Sequence, residues 1–214
     1  KVTFPEGLTS KKIIDVLNNA PNMTDEIITI PDEGSLFPDT YFYTYGMSRQ
    51  NIIDRASQKS KAVLADLWAT RKENLPLYTP KEAVILASIV EQETTRPEER
   101  TLVASVFINR LKSKMPLQSD PTVIYGLEKT GVAPKRLLRK HLKQKHDWNT
   151  YMMRGLPKTP ISNPGFAAIQ SVLNPAKTDY LYFVADGRGG HRFAKTLDEH
   201  NKNVRKYRKF LSEK

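Results

Sequence analysis

The stretch from Thr79 to Thr94 constrains the fold most, because the start, the buried stripe and the end of a helix can all be read from it. Thr79 can cap the first turn, Pro80 suits the first helical position, and Glu82 sits three residues after the cap to complete a capping box. At about 100° per residue, Ile85, Leu86, Ile89 and Val90 gather on one side, and Glu93 falls on that same side. Glu91 points nearly the opposite way, on the face of Ala87 and Ser88. A carboxyl group among aliphatic neighbours is desolvated, which raises its pKa and lets it hold and donate a proton near neutrality. Glu93 is therefore a candidate general acid, with Glu91 the second candidate. The plainer reading is that the helix rolls and Glu93 merely flanks the core.

With 214 residues, of which 39% are hydrophobic, the chain can hold one large domain or a small one joined to a medium one. The formal net charge of +11 suggests an anionic partner or, more plainly, solubility. Lys and Arg crowd Lys135 to His141 and Arg205 to Lys209, but both tracts read as polar faces of helices and match no nucleic-acid module, so no nucleic acid is expected. The absence of cysteine excludes disulfides and thiolate chemistry and is silent on compartment. No apolar run reaches the ~18 residues of a membrane span. The chain opens at Lys1-Val2-Thr3 without Met, which suggests a fragment of a longer protein whose upstream anchor has been removed.

Residues 1–47 read as a small mixed region. It has a strand near Val2 to Phe4 and a helix capped by Thr9 that buries Ile13, Ile14, Val16 and Leu17. A β-branched strand is expected from Glu26 to Ile30, followed by the aromatic segment Gly34 to Tyr43. That segment is either a packing corner, the favoured reading, or a sugar-stacking surface. Residues 48–74 predict a linking helix, and residues 75–214 a larger domain. The larger domain opens with the helix above, followed by a helix from Pro97 that keeps Leu102, Val103, Val106, Phe107 and Leu111 to one face. Periodicity fades between about residues 113 and 165, where proline-rich loops suggest a binding surface. A helix capped by Asn163 is expected to run to Leu173. Tyr180 to Ala185 and His191 to Ala194 predict a hairpin around Asp186 to Gly190, and Thr196 with Glu199 launches a terminal basic helix through a second capping box. The class is α+β.

His141, His146, His191 and His200 do not form a metal-binding pattern, so no metal is expected. His191 reads as a stabiliser of the hairpin turn, with a ligand role as the minority option. The glycines of Asp186 to Gly190 lie in a hairpin and so lack the strand-to-helix setting of a phosphate cradle. No Gly-x-Ser-x-Gly elbow is present. Acid–base work by carboxylates on a polymer remains, which describes carbohydrate cleavage, and Asp120 could be a second carboxylate.

Several motifs in order carry a resemblance over essentially the whole chain: Ile89 to Thr94, Ala104 to Leu111, Leu117 to Gly126, Asn149-Thr150-Tyr151, Gly155-Leu156-Pro157, Asn163-Pro164-Gly165 and Tyr180 to Gly187. Together they closely resemble the YceG-like endolytic murein transglycosylases. Phe4 to Thr9 and Leu36 to Tyr41 are similar to the family's region before the catalytic domain, so a small, truncated LysM-like N-terminal portion followed by a mixed helical catalytic domain with a β-hairpin is expected. The resemblance implies a lyase of the bacterial inner membrane, its catalytic part on the periplasmic face and anchored by an N-terminal helix absent here. It implies cleavage of the MurNAc–GlcNAc bond of nascent peptidoglycan strands, leaving 1,6-anhydro-MurNAc ends and terminating elongation. Penicillin-binding-protein synthases are the implied partners, and no cofactor is expected. One glutamic acid serves as acid and then base; the family motif holds both Glu91 and Glu93, and the helical geometry favours Glu93. Gln118, Asp120, Tyr125, Asn149 and Tyr151 are the candidate substrate-positioning groups. The alternative is a noncatalytic peptidoglycan-binding module using the same groove.

Overall fold

In the computed structural model, which describes residues 1–213, the chain builds two apolar cores that share one long helix. The first core begins with β1 (Val2–Thr3) and α1 (Ser10–Asn18), whose N-cap Thr9 accepts from the Lys12 amide. β2 (Met23–Thr24), β3 (Thr40–Tyr41) and β4 (Met47–Ser48) follow; β1 pairs antiparallel with β3, and β2 parallel with β4. Ile13, Ile14 and Leu17 of α1 are buried as expected, but Val16 is exposed, because the helix lies with a narrower stripe inward. α2 (Arg49–Ala69) closes this core with Ile52, Ile53 and Ala56 and then sends Leu67, with Val63, Leu64 and Trp68, into the second.

The strand expected at Glu26 to Ile30 is absent. Asn18 receives the Ile27 amide (3.0 Å) and donates to the Ile27 carbonyl (2.9 Å), so a side chain satisfies this backbone where a ladder would have, and Ile28 and Ile30 stay exposed. The aromatic segment is a packing corner in its buried half: Leu36, Phe37 and Tyr41 are enclosed, Phe4 meets the Tyr41 ring at 5.3 Å, and Phe42 faces solvent.

The second core centres on α3 (Pro80–Glu93), whose capping box forms as read: the Glu82 amide donates to Thr79 Oγ1 and the Thr79 amide to the Glu82 carboxylate. α3 is packed against α2, α4 (Pro97–Lys112), α5 (Asp120–Lys129) and α6 (Phe166–Leu173). Every residue from Ala83 to Val90 is consequently buried, so the face of Ala87 and Ser88 is interior, as is the opposite stripe. α5 lies within the stretch whose periodicity had faded. The basic tract before His141 is turn and irregular backbone leading into a short 3₁₀ turn (His141–Lys143), not a helical face.

Asn163 does not cap α6; Gly165 holds that position. The Asn163 side chain is fully enclosed and reaches the N-terminal region instead, accepting from the Leu36 amide (3.0 Å) and donating to the Leu8 carbonyl, Ser10 Oγ and Glu33. β5 (Tyr182–Ala185) and β6 (His191–Ala194) form the expected antiparallel hairpin. α7 (Leu197–Ser212) packs on that hairpin behind its own capping box. No helix among the described residues is long and apolar enough to cross a membrane.

Candidate active site

α3 delivers Glu93 on its last turn to a point where the segment leading into α5 crosses it. Ser119, the N-cap of α5, donates its hydroxyl to Glu93 Oε1 at 2.6 Å. Ser119 is itself held: its amide donates to Thr150 Oγ1 (3.0 Å), Thr150 and Thr122 share a hydroxyl bond (2.8 Å), and Thr122 donates to the Ser119 carbonyl. A single neutral hydroxyl therefore orients the Glu93 carboxyl, and no ion pair among the described residues neutralises it. Burial raises its pKa above the ordinary carboxylate value; the Ser119 hydroxyl opposes that rise, the Asp120 charge adds to it, and His191 and Arg110 pull it down more weakly. Desolvation is the largest of these influences, so the site favours the protonated form of Glu93.

Around that carboxyl stand groups held by other elements. Arg110, buried at 7% exposure, donates to the Leu117 and Leu181 carbonyls (2.7 Å each) and lies 5.3 Å from the Tyr182 ring centroid. Its Nη1 also reaches Gln118 Oε1 at 3.4 Å. Gln118 adopts φ of +54°, a left-handed conformation that costs a non-glycine residue about 1 kcal/mol or more, and its amide is tied to the Thr150 carbonyl. Tyr151 donates its hydroxyl to Asp120 Oδ1 at 2.6 Å, and burial with that neighbouring carboxylate pushes the phenol pKa up, so it remains a donor. On the far side, Glu99 grips the hairpin through the His191 amide (2.9 Å) and Nδ1 (2.7 Å).

Glu91 has a different occupation. Its carboxylate accepts from Arg100 (3.2 Å) and from the Gly165 amide (2.9 Å), so it ties α3 to α4 and to the start of α6. Its side chain is 5% exposed although it lies on the face opposite Glu93, because α6 covers that side of α3.

Of the five expected positioning groups, Gln118, Asp120 and Tyr151 gather beside the Glu93–Ser119 pair. Asn149 and Tyr125 do not. Asn149 is wholly buried and its amide gathers the Leu142 (3.1 Å) and Gln144 (2.7 Å) carbonyls while its oxygen takes the Tyr151 amide (2.9 Å), so it shapes the loop that carries Tyr151. Tyr125 is buried on the seam with the N-terminal region, its hydroxyl donating to Glu33 Oε2 (3.0 Å) and its ring meeting Trp148 at 5.5 Å. Sequence reasoning assigned no part to Ser119, Arg110 or Glu99, though Ser119 directly before Asp120-Pro121 is a helix-start signal that could have drawn attention to it. Asp186, not His191, holds the hairpin turn, accepting from the Arg188 (2.7 Å) and Gly190 (3.0 Å) amides; His191 ties the hairpin to Glu99 and lies close enough to bear on Glu93. No group of three or more acidic or histidine side chains among the described residues could hold a metal ion.

The YceG-like family matches residues 1–206. An endolytic murein transglycosylase of Bacillus subtilis is 39% identical over the whole chain and 55% of its own length, and one of Streptococcus pneumoniae is 35% identical over 80% of this chain and 31% of its own. The chain thus spans about half, or less, of these relatives. A crystal structure of a YceG-like protein from Listeria monocytogenes superposes with a TM-score of 0.76 at 32% identity, covering 94% of this chain and 75% of that one.

Proposed function

The chain belongs to the YceG-like family, and on that premise we propose that it carries the catalytic part of a lytic murein transglycosylase, with Glu93 as its acid and base. The observation that carries this reading is the Glu93 carboxyl, desolvated, unpaired and aimed by Ser119, beside the polar groups of Gln118, Asp120 and Tyr151. In the first step protonated Glu93 gives its proton to the oxygen between MurNAc and GlcNAc, and the C1–O bond breaks as positive charge builds on the muramic ring. The carboxylate so formed takes the proton of the muramic 6-hydroxyl, whose oxygen bonds to C1. The product is a 1,6-anhydro end, no water is consumed, and Glu93 ends as it began. Asp120, which accepts the Tyr151 hydroxyl, lies where it can stabilise the oxocarbenium-like charge.

Glu91 is the weaker candidate because Arg100 and the Gly165 amide already occupy its oxygens. Cleavage within nascent strands, the periplasmic face of the inner membrane as location, and synthases as partners are proposed on family membership. The LysM-like character of the N-terminal portion rests on its sequence similarity and on a strand–helix–strand core built within the first 56 residues.

Mass spectrometry of un-crosslinked glycan strands after incubation tests the reading. Wild type should produce internal cuts ending in 1,6-anhydro sugars, and Glu93→Gln should lose about 10²–10⁴-fold in rate. Reducing-end products would instead mean a water-using hydrolase, and glycan binding without any cut by the folded wild type would mean a noncatalytic binding module.

A further inference from the structure

The seam between the N-terminal region and the second core is both locked and hollow. Besides the Asn163 bonds, the Gly7 amide donates to the Asn163 carbonyl (3.0 Å) and Gln92 donates to the Gly7 carbonyl (2.7 Å). Gly7 has φ of +79°, and a Cβ there would come within 2.8 Å of the Gln92 amide nitrogen, so the two walls approach as closely as a glycine allows. Glu33 crosses the seam, accepting from the Ser10 amide (2.7 Å), Asn163 (3.1 Å) and Tyr125 (3.0 Å).

Between those ties α1 and α5 stand apart over two adjoining hollows of about 330 and 390 Å³, which share Thr9, Lys12, Tyr125 and Glu128 as lining. One hollow starts at Gln92 and Pro121, the immediate chain neighbours of Glu93 and Asp120. The other ends among Lys11, Glu33 and Lys129. None of the ion pairs among the described residues involves Lys11, Lys12, Glu128 or Lys129. Lys129 instead lies 5.3 Å from the Tyr125 ring centroid. The groove is therefore lined by charges of both signs, of which Lys11, Lys12 and Glu128 are in no ion pair among the described residues and Lys129 bears on Glu33 only beyond ion-pair distance.

We propose that this groove is the subsite for the peptide stem of the substrate, with Lys12 and Lys129 taking its carboxylates and Glu128 its amine. The inference rests on the transglycosylase reading and adds to it what the groove selects. The stem hangs from the lactyl group on the muramic ring, the same ring whose C1 reacts, so it leaves the sugar within a few bonds of Glu93. It is a short peptide carrying free carboxylates and an amine, which matches a groove with unpaired cations and an unpaired anion better than an uncharged glycan does. The N-terminal region then contributes one wall of the active groove.

The test measures calorimetric binding of a muramoyl-peptide fragment, and of the same sugar without peptide, to the Glu93→Gln chain. The peptide should add affinity, and adding Lys12→Glu with Lys129→Glu should weaken fragment binding about tenfold, as expected for reversing two largely exposed charges. Lys12→Gln with Lys129→Gln should give a smaller loss in the same direction. Equal affinity for fragment and bare sugar, or fragment binding untouched by the charge reversal, would overturn the proposal. Because this measurement needs no turnover, it decides the groove even if wild type releases no anhydro ends and the transglycosylase reading fails.

Discussion

Replacing Asn163 by Ala should be among the more damaging single substitutions, although the residue touches neither Glu93 nor its partners. Its side chain is 0% exposed and makes four bonds, to the Leu36 amide, the Leu8 carbonyl, Ser10 Oγ and Glu33. Two of those partners are provided for without it: the Leu8 carbonyl keeps the Asn163 backbone amide (2.9 Å), and Ser10 Oγ keeps the Asp32 carbonyl (3.1 Å). The buried Leu36 amide is left unsatisfied and Glu33 loses a donor. At about 1–3 kcal/mol for each such group, the two together cost about 2–6 kcal/mol, with about 3–4 kcal/mol near the middle. In a chain of this size that lowers Tm by roughly 6–15 °C. Urea unfolding followed in parallel by tryptophan fluorescence and far-UV circular dichroism measures it. Asn163→Asp provides the control: it keeps the acceptor for Leu36 but sets a second carboxylate against Glu33, so its deficit should shrink as pH falls and the pair holds a proton. A loss below about 1 kcal/mol in Asn163→Ala, or no pH effect in the Asp variant, would refute the reasoning that these bonds join the two regions.

The raised pKa of Glu93 fixes the sign of a pH effect on stability. The folded chain holds this proton to higher pH than the unfolded chain, so the contribution is full below the unfolded value and is lost as pH rises through the folded one. Glu93→Gln should therefore be more stable than wild type near neutrality and converge with it in acid, which Tm measured from about pH 4 to 8 checks. Glu91→Gln keeps an acceptor for the Gly165 amide and should retain turnover within about tenfold of wild type; a dead Glu91→Gln beside an active Glu93→Gln would exchange their roles. Gly126 lies inside α5 with the His146 ring against it, so Gly126→Ala should destabilise by about 1–3 kcal/mol in denaturant titration despite its better helix propensity, and His146→Ala should relieve the clash.

What the sequence disclosed was local. Both capping boxes, at Thr79 and Thr196, use residues three apart, and the hairpin follows from a glycine turn between two β-rich runs, so none depends on distant chain. Glu93 was legible for the same reason, since its distance along the helix from Leu86 and Ile89 fixes its side. Glu91 was not, because only the arrival of α6 and Arg100 makes its face an interior one. Asn163 reads as a helix cap next to Pro164, yet its partners lie up to 155 residues away and outbid the local role. Asn149 and Tyr125 carry the right functional groups for a sugar, but loop closure and the Glu33 seam claim them, and neither leaves a periodic trace.

The division of α2 between two cores implies an order of assembly. Every buried residue of the first core lies between Val2 and Ala56, so that core can close once α2 has emerged, with short loops to join. The second core runs from Leu67 to Leu173, and α3 meets α6 only after more than seventy further residues have been made. The distal half of α2 then serves as a template already held in place while the rest of the chain arrives. Thr150, which fixes the Ser119 that meets Glu93, and the hairpin that carries His191 come late in that sequence, so the surroundings of this carboxyl are completed among the last events of folding. A nascent chain of this design is expected to lack the assembled Glu93 site until its final third is in place.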